Sequence, residues 1–119
     1  LPDLCTGKVM SVCGPVNPSR LGVTLADEFL VCDFSGADAP GAIRYDMEKA
    51  FGQILPELVS LKIAGCETLV ESTPAYMGRN VKFLQRLSKA SGVNILTNTG
   101  YSGQEDGRYL PASVETEKV

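Results

Sequence analysis

Thr24-Leu25-Ala26-Asp27-Glu28-Phe29-Leu30, running on into Val31-Cys32-Asp33, is the stretch on which the reading of this 119-residue chain turns. It follows an apolar, glycine-bearing run from Val9 to Gly22, and Val23-Thr24-Leu25 has the character of a strand. Residues two apart in a strand face the same side. Asp27 and Phe29 are therefore expected to point together, a carboxylate beside an apolar ring, in a chain that contains no histidine. Without histidine there is no Ser-His-Asp or Cys-His arrangement to activate a nucleophile.

Working outward, Lys8 to Cys13 alternates loosely between Gly7 and Gly14-Pro15 and reads as a short strand. Pro15, Asn17-Pro18 and Gly22 mark a turn before Val23-Thr24-Leu25 resumes extended structure, so an N-terminal hairpin is expected. Ser35 to Gly41 reads as loop. From Asp46, the residues Met47, Ala50, Phe51, Ile54 and Leu55 fall at helical spacing. Pro56 would break a continuous helix and suits the first turn of a new one, which ends at Gly65. Glu67 to Ser72 is a short strand closed by Thr73-Pro74. Asn80 is a good N-cap for a helix over 81–91 whose apolar face is Val81, Phe83, Leu84, Leu87 and Ala90, stopped by Gly92. Val93 to Thr97 is the next strand, and Thr99-Gly100-Tyr101 leads into a polar loop. Ser113 to Val119 reads as the opening of a helix of about two turns, the start of an incomplete α/β unit. Strands alternating with helices argue for a parallel sheet with right-handed crossovers.

The composition narrows the function. With 44% apolar and 21% charged residues and no low-complexity tract, the chain is an ordinary globular one. At this length it forms one domain at most, able to bury about two-thirds of its unfolded surface. The formal charge is −3 and the basic residues are scattered, so no nucleic-acid partner is expected. No apolar run approaches the roughly 20 residues that span a bilayer, and no membrane partner is expected. Cys5, Cys13, Cys32 and Cys66 form no Cys-x-x-Cys pair. Cys32 and Cys66 lie in apolar stretches as candidate core residues, with disulfide pairing among the four left open; the lean is towards a reduced, cytoplasmic protein.

Several segments, taken in order, resemble the phosphotriesterase-like (parathion hydrolase-related) metal-dependent hydrolases of the amidohydrolase superfamily. Gly7 to Pro15 looks like that family's N-terminal hairpin, and Leu21 to Leu30 like its metal-binding strand, Thr-Leu-x-His-Glu-His-Leu. Ala64 to Pro74 resembles the second barrel strand with its approach, and Gly78-Arg79-Asn80 the Gly-Arg-Asp helix entry. Ser91 to Ile95 and Thr97 to Tyr101 resemble the third strand and its exit. The likeness covers nearly the whole chain. It implies an α/β fold, the N-terminal part of a TIM-type (β/α)8 barrel: a hairpin plus about three parallel strands with crossover helices, in one partial domain over 1–119. Complete barrels need about 250 residues or more.

The departure lies where the family places its two histidines, which here read Asp27 and Phe29. The family's other ligands, a carboxylated lysine, two further histidines and an aspartate, belong to later strands. Asp27 is the one candidate metal position, a carboxylate that could meet zinc at about 2.0–2.2 Å, although tight zinc sites use three or four ligands. Its bland alternative is a solvated carboxylate at a strand end. Phe29 has no lone pair to donate and is expected to plug the core. No catalytic residue is assigned and no cofactor is expected in this chain, though the family uses a divalent metal such as zinc. Glu28 is expected to be structural and Asp33 a turn or salt-bridge residue. Glu71, in a strand expected to be buried, needs a partner or an altered pKa, and Arg79 is the candidate partner. Tyr101, just past the third strand, would stand at the face where barrels place active sites and is the substrate-contact candidate.

Three readings follow: a degenerate, non-hydrolytic relative, the N-terminal part of an active ester, lactone or organophosphate hydrolase, and a small non-enzymatic α/β domain. The expected partners are a second copy, through self-association at open sheet edges, or the remainder of a barrel.

Overall fold

The computed structural model describes residues 5–31, 46–101 and 110. Its order is β1 (Val9–Ser11), β2 (Gly14–Val16), a 3-10 turn (Pro18–Arg20), β3 (Val23–Glu28), α1 (Met47–Ile63), β4 (Cys66–Glu71), α2 (Val81–Ser91) and β5 (Asn94–Leu96). Strands β3, β4 and β5 form a parallel sheet in that order, while β1 and β2 make a separate antiparallel ribbon. The expected α/β alternation and parallel pairing are present.

The N-terminal hairpin differs from the one that the turn residues suggested. Its turn falls at Val12-Cys13, with Val9 opposite Val16 and Ser11 opposite Gly14. Gly14 takes φ +113°, a conformation L side chains rarely adopt, and this lets the chain reverse so early. Ser11 Oγ donates to Gly14 O at 2.7 Å and accepts from Cys13 N–H at 3.2 Å, closing the turn. Pro15 is tolerated because a two-stranded ribbon leaves one edge of β2 needing no donor. Val23-Thr24-Leu25 is thereby freed to pair with β4. The ribbon is held to the main body by Val12, whose N–H donates to Ile95 O at 2.9 Å and whose carbonyl accepts from Gln85 Nε2 at 2.7 Å.

The two helices cover one face of the sheet. Asp46 caps α1, its Oδ1 accepting from Glu48 N–H (3.0 Å) and Lys49 N–H (3.1 Å). One helix runs through Pro56 instead of the two that this proline suggested. The residue at i−4, whose carbonyl a helical proline ring presses upon, is Gly52, and both positions are exposed. Backbone there can give way into solvent without disturbing the core. In α2, Asn80 Oδ1 accepts from Phe83 N–H at 3.1 Å, and Gly92 ends the helix at φ +78°.

The core joins Leu58 of α1, Phe83, Leu84 and Leu87 of α2, and Leu69, Val93 and Ile95 on and beside the sheet. Phe51 meets Phe83 edge-on at 6.4 Å, and the Arg86 guanidinium lies 4.5 Å over the Phe51 ring while bonding Glu48. Cys66 is buried as expected, and Cys32 lies outside the described residues. The expected C-terminal helix over 113–119 also lies outside them.

Two outcomes are expected in urea denaturation. Asn80→Ala lowers stability by about 1 kcal/mol through loss of the cap. Pro56→Ala raises it by about 1–2 kcal/mol, since the regained helical bond outweighs the added freedom of the unfolded chain; a loss of stability would show that the helix needs its proline.

Candidate functional site

Parallel α/β sheets present their chemistry at the carboxyl ends of the strands. In this chain that end gathers Asp27, Glu28 and Phe29 at the end of β3 and just beyond it, Glu71 and Thr73 at the end of β4 and just beyond it, and Asn98 to Tyr101 after β5.

At β3 the register shifts between Leu25 and Glu28, so that Leu25 pairs with Leu69 while Glu28 pairs with Glu71. Asp27 sits inside this irregularity at φ +63°, a left-handed conformation that aspartate tolerates better than most residues. The expected i, i+2 alternation therefore fails here, because a bulge re-aims the side chains beyond it. Asp27 is exposed. Phe29 is 52% exposed and plugs nothing among the described residues, which corrects the core role expected of it. The bulge lies on the outer strand of the sheet, with no described strand on its far side to cover the ring.

The residues present do not fit the metal centre that the resemblance implies. One exposed carboxylate stands where two imidazoles belong, and Phe29 has no donor atom. Among the described residues no three Asp, Glu or Cys side chains gather as a metal-holding group. Asp33, the other nearby carboxylate considered, lies outside the described residues.

Glu71 is the buried acid of this end, with 1% of its surface exposed. Its Oε1 accepts from Leu30 N–H at 3.3 Å and Thr73 N–H at 3.2 Å and bonds with Thr73 Oγ1, whereas Oε2 has no partner. Burial pushes its pKa above the ordinary value; the bonds from Thr73 and Leu30 and the charge of Arg79 oppose the rise without cancelling it. Thr73 Oγ1 also donates to Val31 O at 2.7 Å, and Ser72 N–H donates to Glu28 O at 2.7 Å. The exit of β3 is thus tied to the exit of β4.

Arg79 was expected to bond a buried carboxylate. Its Nη1 instead donates to Asn98 O (2.9 Å), Asn98 Oδ1 (3.2 Å) and Gly100 O (3.1 Å). Asn98 Nδ2 in turn donates to Thr73 O at 3.0 Å, and Ala75 N–H to Gly100 O at 3.2 Å. This lacing draws the segment after β5 alongside the segment after β4 and brings Tyr101 onto Tyr76, with ring centroids 6.1 Å apart and planes 17° apart. The rings are 49% and 42% exposed. Tyr76 has φ +66°, an unusual setting for a bulky residue. Thr73, Tyr76 and Asn98 were missed by sequence reasoning. Only the polar residues clustered after each strand hinted at them, and that pattern fits any loop.

The opposite end of the sheet carries an open groove of about 430 Å³, with Arg20, Lys62, Glu67 and Asn94 in its lining. Its lysine and glutamate pair with each other.

Comparison with known proteins agrees with this picture. The profile of the phosphotriesterase family matches residues 7–118. A phosphotriesterase homology protein of Escherichia coli is 34% identical over 98 residues, spanning 82% of this chain and 32% of that protein. An N-acetyltaurine hydrolase of Xenopus tropicalis is 28% identical over 123 residues, spanning 81% of this chain and 35% of that protein. Among solved structures, an organophosphorus hydrolase from Deinococcus radiodurans superposes with a TM-score of 0.73 at 30% identity, over 85% of this chain and 31% of that one. The chain thus spans about a third of the length of the curated relatives it matches. The hairpin, the parallel sheet and its crossover helices correspond to the N-terminal part of a TIM-type barrel, and this chain belongs to the phosphotriesterase family.

Proposed function

We propose that this chain is a non-hydrolytic member of its family, a single partial barrel domain over 1–119 that keeps the ligand-facing end of the sheet without the metal pair of the first strand. The observation that carries this reading is the state of 27 and 29: an exposed aspartate turned out of register by a bulge, and an exposed phenylalanine. The stacked Tyr76 and Tyr101 are the surface left for contact with an organic ligand, as aromatic rings favour apolar and planar groups. Among the described residues no strand pairs with the outer edge of β3, which supports completion of the sheet by further strands, of the same barrel or of a second copy. A cytoplasmic, reducing setting suits the thiols of Cys13 and Cys66. Among the described residues, no helix is long and apolar enough to cross a membrane.

A second reading, the N-terminal part of a working hydrolase, is favoured by the printed activities of the relatives, one acting on N-acetyltaurine and one on organophosphorus compounds. The two readings part on metal and turnover. After exhaustive dialysis, elemental analysis is expected to find zinc, manganese and cobalt well below one per chain. No hydrolysis of a lactone, a phosphotriester or an N-acyl amide should exceed a metal-matched blank. Stoichiometric metal that disappears in Asp27→Asn would overturn the proposal.

The paired variant Asp27→His/Phe29→His is expected to gain no activity, because a bulge separates the two positions; turnover above the blank would show the site is recoverable. Arg79→Ala is expected to release the aromatic pair. Losing its charged hydrogen bonds, about 1.5–3 kcal/mol, should speed exchange of the Ala75 amide by roughly tenfold or more. Unchanged exchange would mean that the pair is held by its own stacking.

A further inference from the structure

Thr73 Oγ1 stands between two oxygens, Val31 O at 2.7 Å and Glu71 Oε1. A threonine hydroxyl has a single hydrogen to donate. Val31 O is a carbonyl and can only accept: a hydroxyl hydrogen turned to an ionised Glu71 leaves Val31 O without it, and one turned to Val31 O is spent there. The bond between Thr73 Oγ1 and Glu71 Oε1 then has no hydrogen unless the carboxyl brings one. A protonated Glu71 completes the chain: Glu71 Oε1–H donates to Thr73 Oγ1, and Thr73 Oγ1–H donates to Val31 O. The lone pairs of Oε1 still accept from the Leu30 and Thr73 amides.

The surroundings favour the same state. Oε2 is buried and has no donor, so an ionised carboxylate would leave half its charge facing nothing. Thr97 lies one step beyond the Val70–Leu96 pair, level with Glu71 across the sheet, and its Oγ1 is buried without a partner too. The charged groups around Glu71 do not compensate. Arg79, from the turn before α2, acts on it only at a distance, its guanidinium being bonded to Asn98 and Gly100. From β3 the register neighbour is Glu28, a like charge. Glu48 and Lys49 of α1 and Lys82 and Arg86 of α2 are exposed, and β5 carries no ionisable residue.

We propose that Glu71 is a proton-holding clamp: in its neutral form it fastens the exit of β3, residues 28–31, to the exit of β4, and its ionisation loosens that fastening. The clamp governs the segment next to Asp27 and Phe29, so the shape of the ligand-facing end responds to pH. It is independent of whether the chain hydrolyses anything. The linkage has one sign. The folded chain holds this proton more tightly than the unfolded chain does, so the stabilisation is fully present below the ordinary value of 4.5 and is lost as pH rises through the raised value.

The test is a carbon-13 NMR titration of the glutamate carboxyls in the natural chain, with Glu71→Gln used only for assignment. The expected result is a Glu71 midpoint clearly above 4.5, with the Leu30 and Thr73 amide signals moving at the same midpoint. A midpoint at or below that value, or amides that do not follow it, overturns the proposal. Thr73→Val supplies a second, directional readout. If Glu71 donates to the hydroxyl, removing it lowers the midpoint; if the hydroxyl donates to Glu71, removing it raises the midpoint and the proposal fails. The titration of the natural chain decides the matter by itself if either variant does not fold.

Discussion

The burial of β4 is the constraint from which the rest of the structure follows. It is the one described strand with a neighbour on each edge, and four of its six residues are buried. Leu69 meets the helix layer, which supplies Leu58 from α1 and Phe83, Leu84 and Leu87 from α2. The polar residues of the strand are less easily housed. Thr68 is wholly buried and is satisfied by donating to Leu21 O at 2.6 Å and accepting from Asn94 Nδ2 at 3.3 Å, which ties the approach to β3 and the start of β5 to the strand between them. Glu71 performs the corresponding task at the other end. A buried polar group left unpaired costs about 1–3 kcal/mol, so each imposes positions on its neighbours.

This dependence separates what could be read from the sequence from what could not. The N-cap Asn80 acts through one side chain on the next turn, and the glycine stop at Gly92 acts on its own backbone. Such local chemistry leaves a local signature. The run from Glu67 to Ser72 was visible as a strand for the same reason, one residue displaced from the observed Cys66–Glu71. The family likeness located the hairpin within 7–15 where turn residues alone pointed further on.

The misreadings share a cause: each depended on what a distant segment offers. Pro56 was read as a helix boundary because its sequence neighbours do not reveal that this turn faces solvent. The rule that residues two apart share a face requires unbroken pairing, and the shift between Leu25 and Glu28 arises in β3's partnership with β4. Phe29 was assigned to a core by its hydrophobicity alone, although burial requires something to cover it. Arg79 was matched to a buried carboxylate by charge, but its fork found three oxygens at Asn98 and Gly100, about twenty residues ahead in the chain. Tyr101 was placed correctly at the carboxyl end, whereas its stacking on Tyr76 follows from that same lacing.

The carboxyl end of the sheet is ordered by bonds that involve neither Asp27 nor Phe29, the two positions at which the sequence resemblance implies histidines. Glu71, Thr73 and Ser72 hold residues 28–31, while Arg79 and Asn98 hold the segments bearing Tyr76 and Tyr101. In a metal-dependent domain the ion itself can act as the staple that draws strand exits together. In this chain, hydrogen bonds between strand exits supply that order, and the side chains at 27 and 29 are left outside them. Substitution at those two positions can therefore change their chemistry while the surrounding geometry stands. A scaffold whose order is independent of the side chains at 27 and 29 is one in which those side chains are free to change.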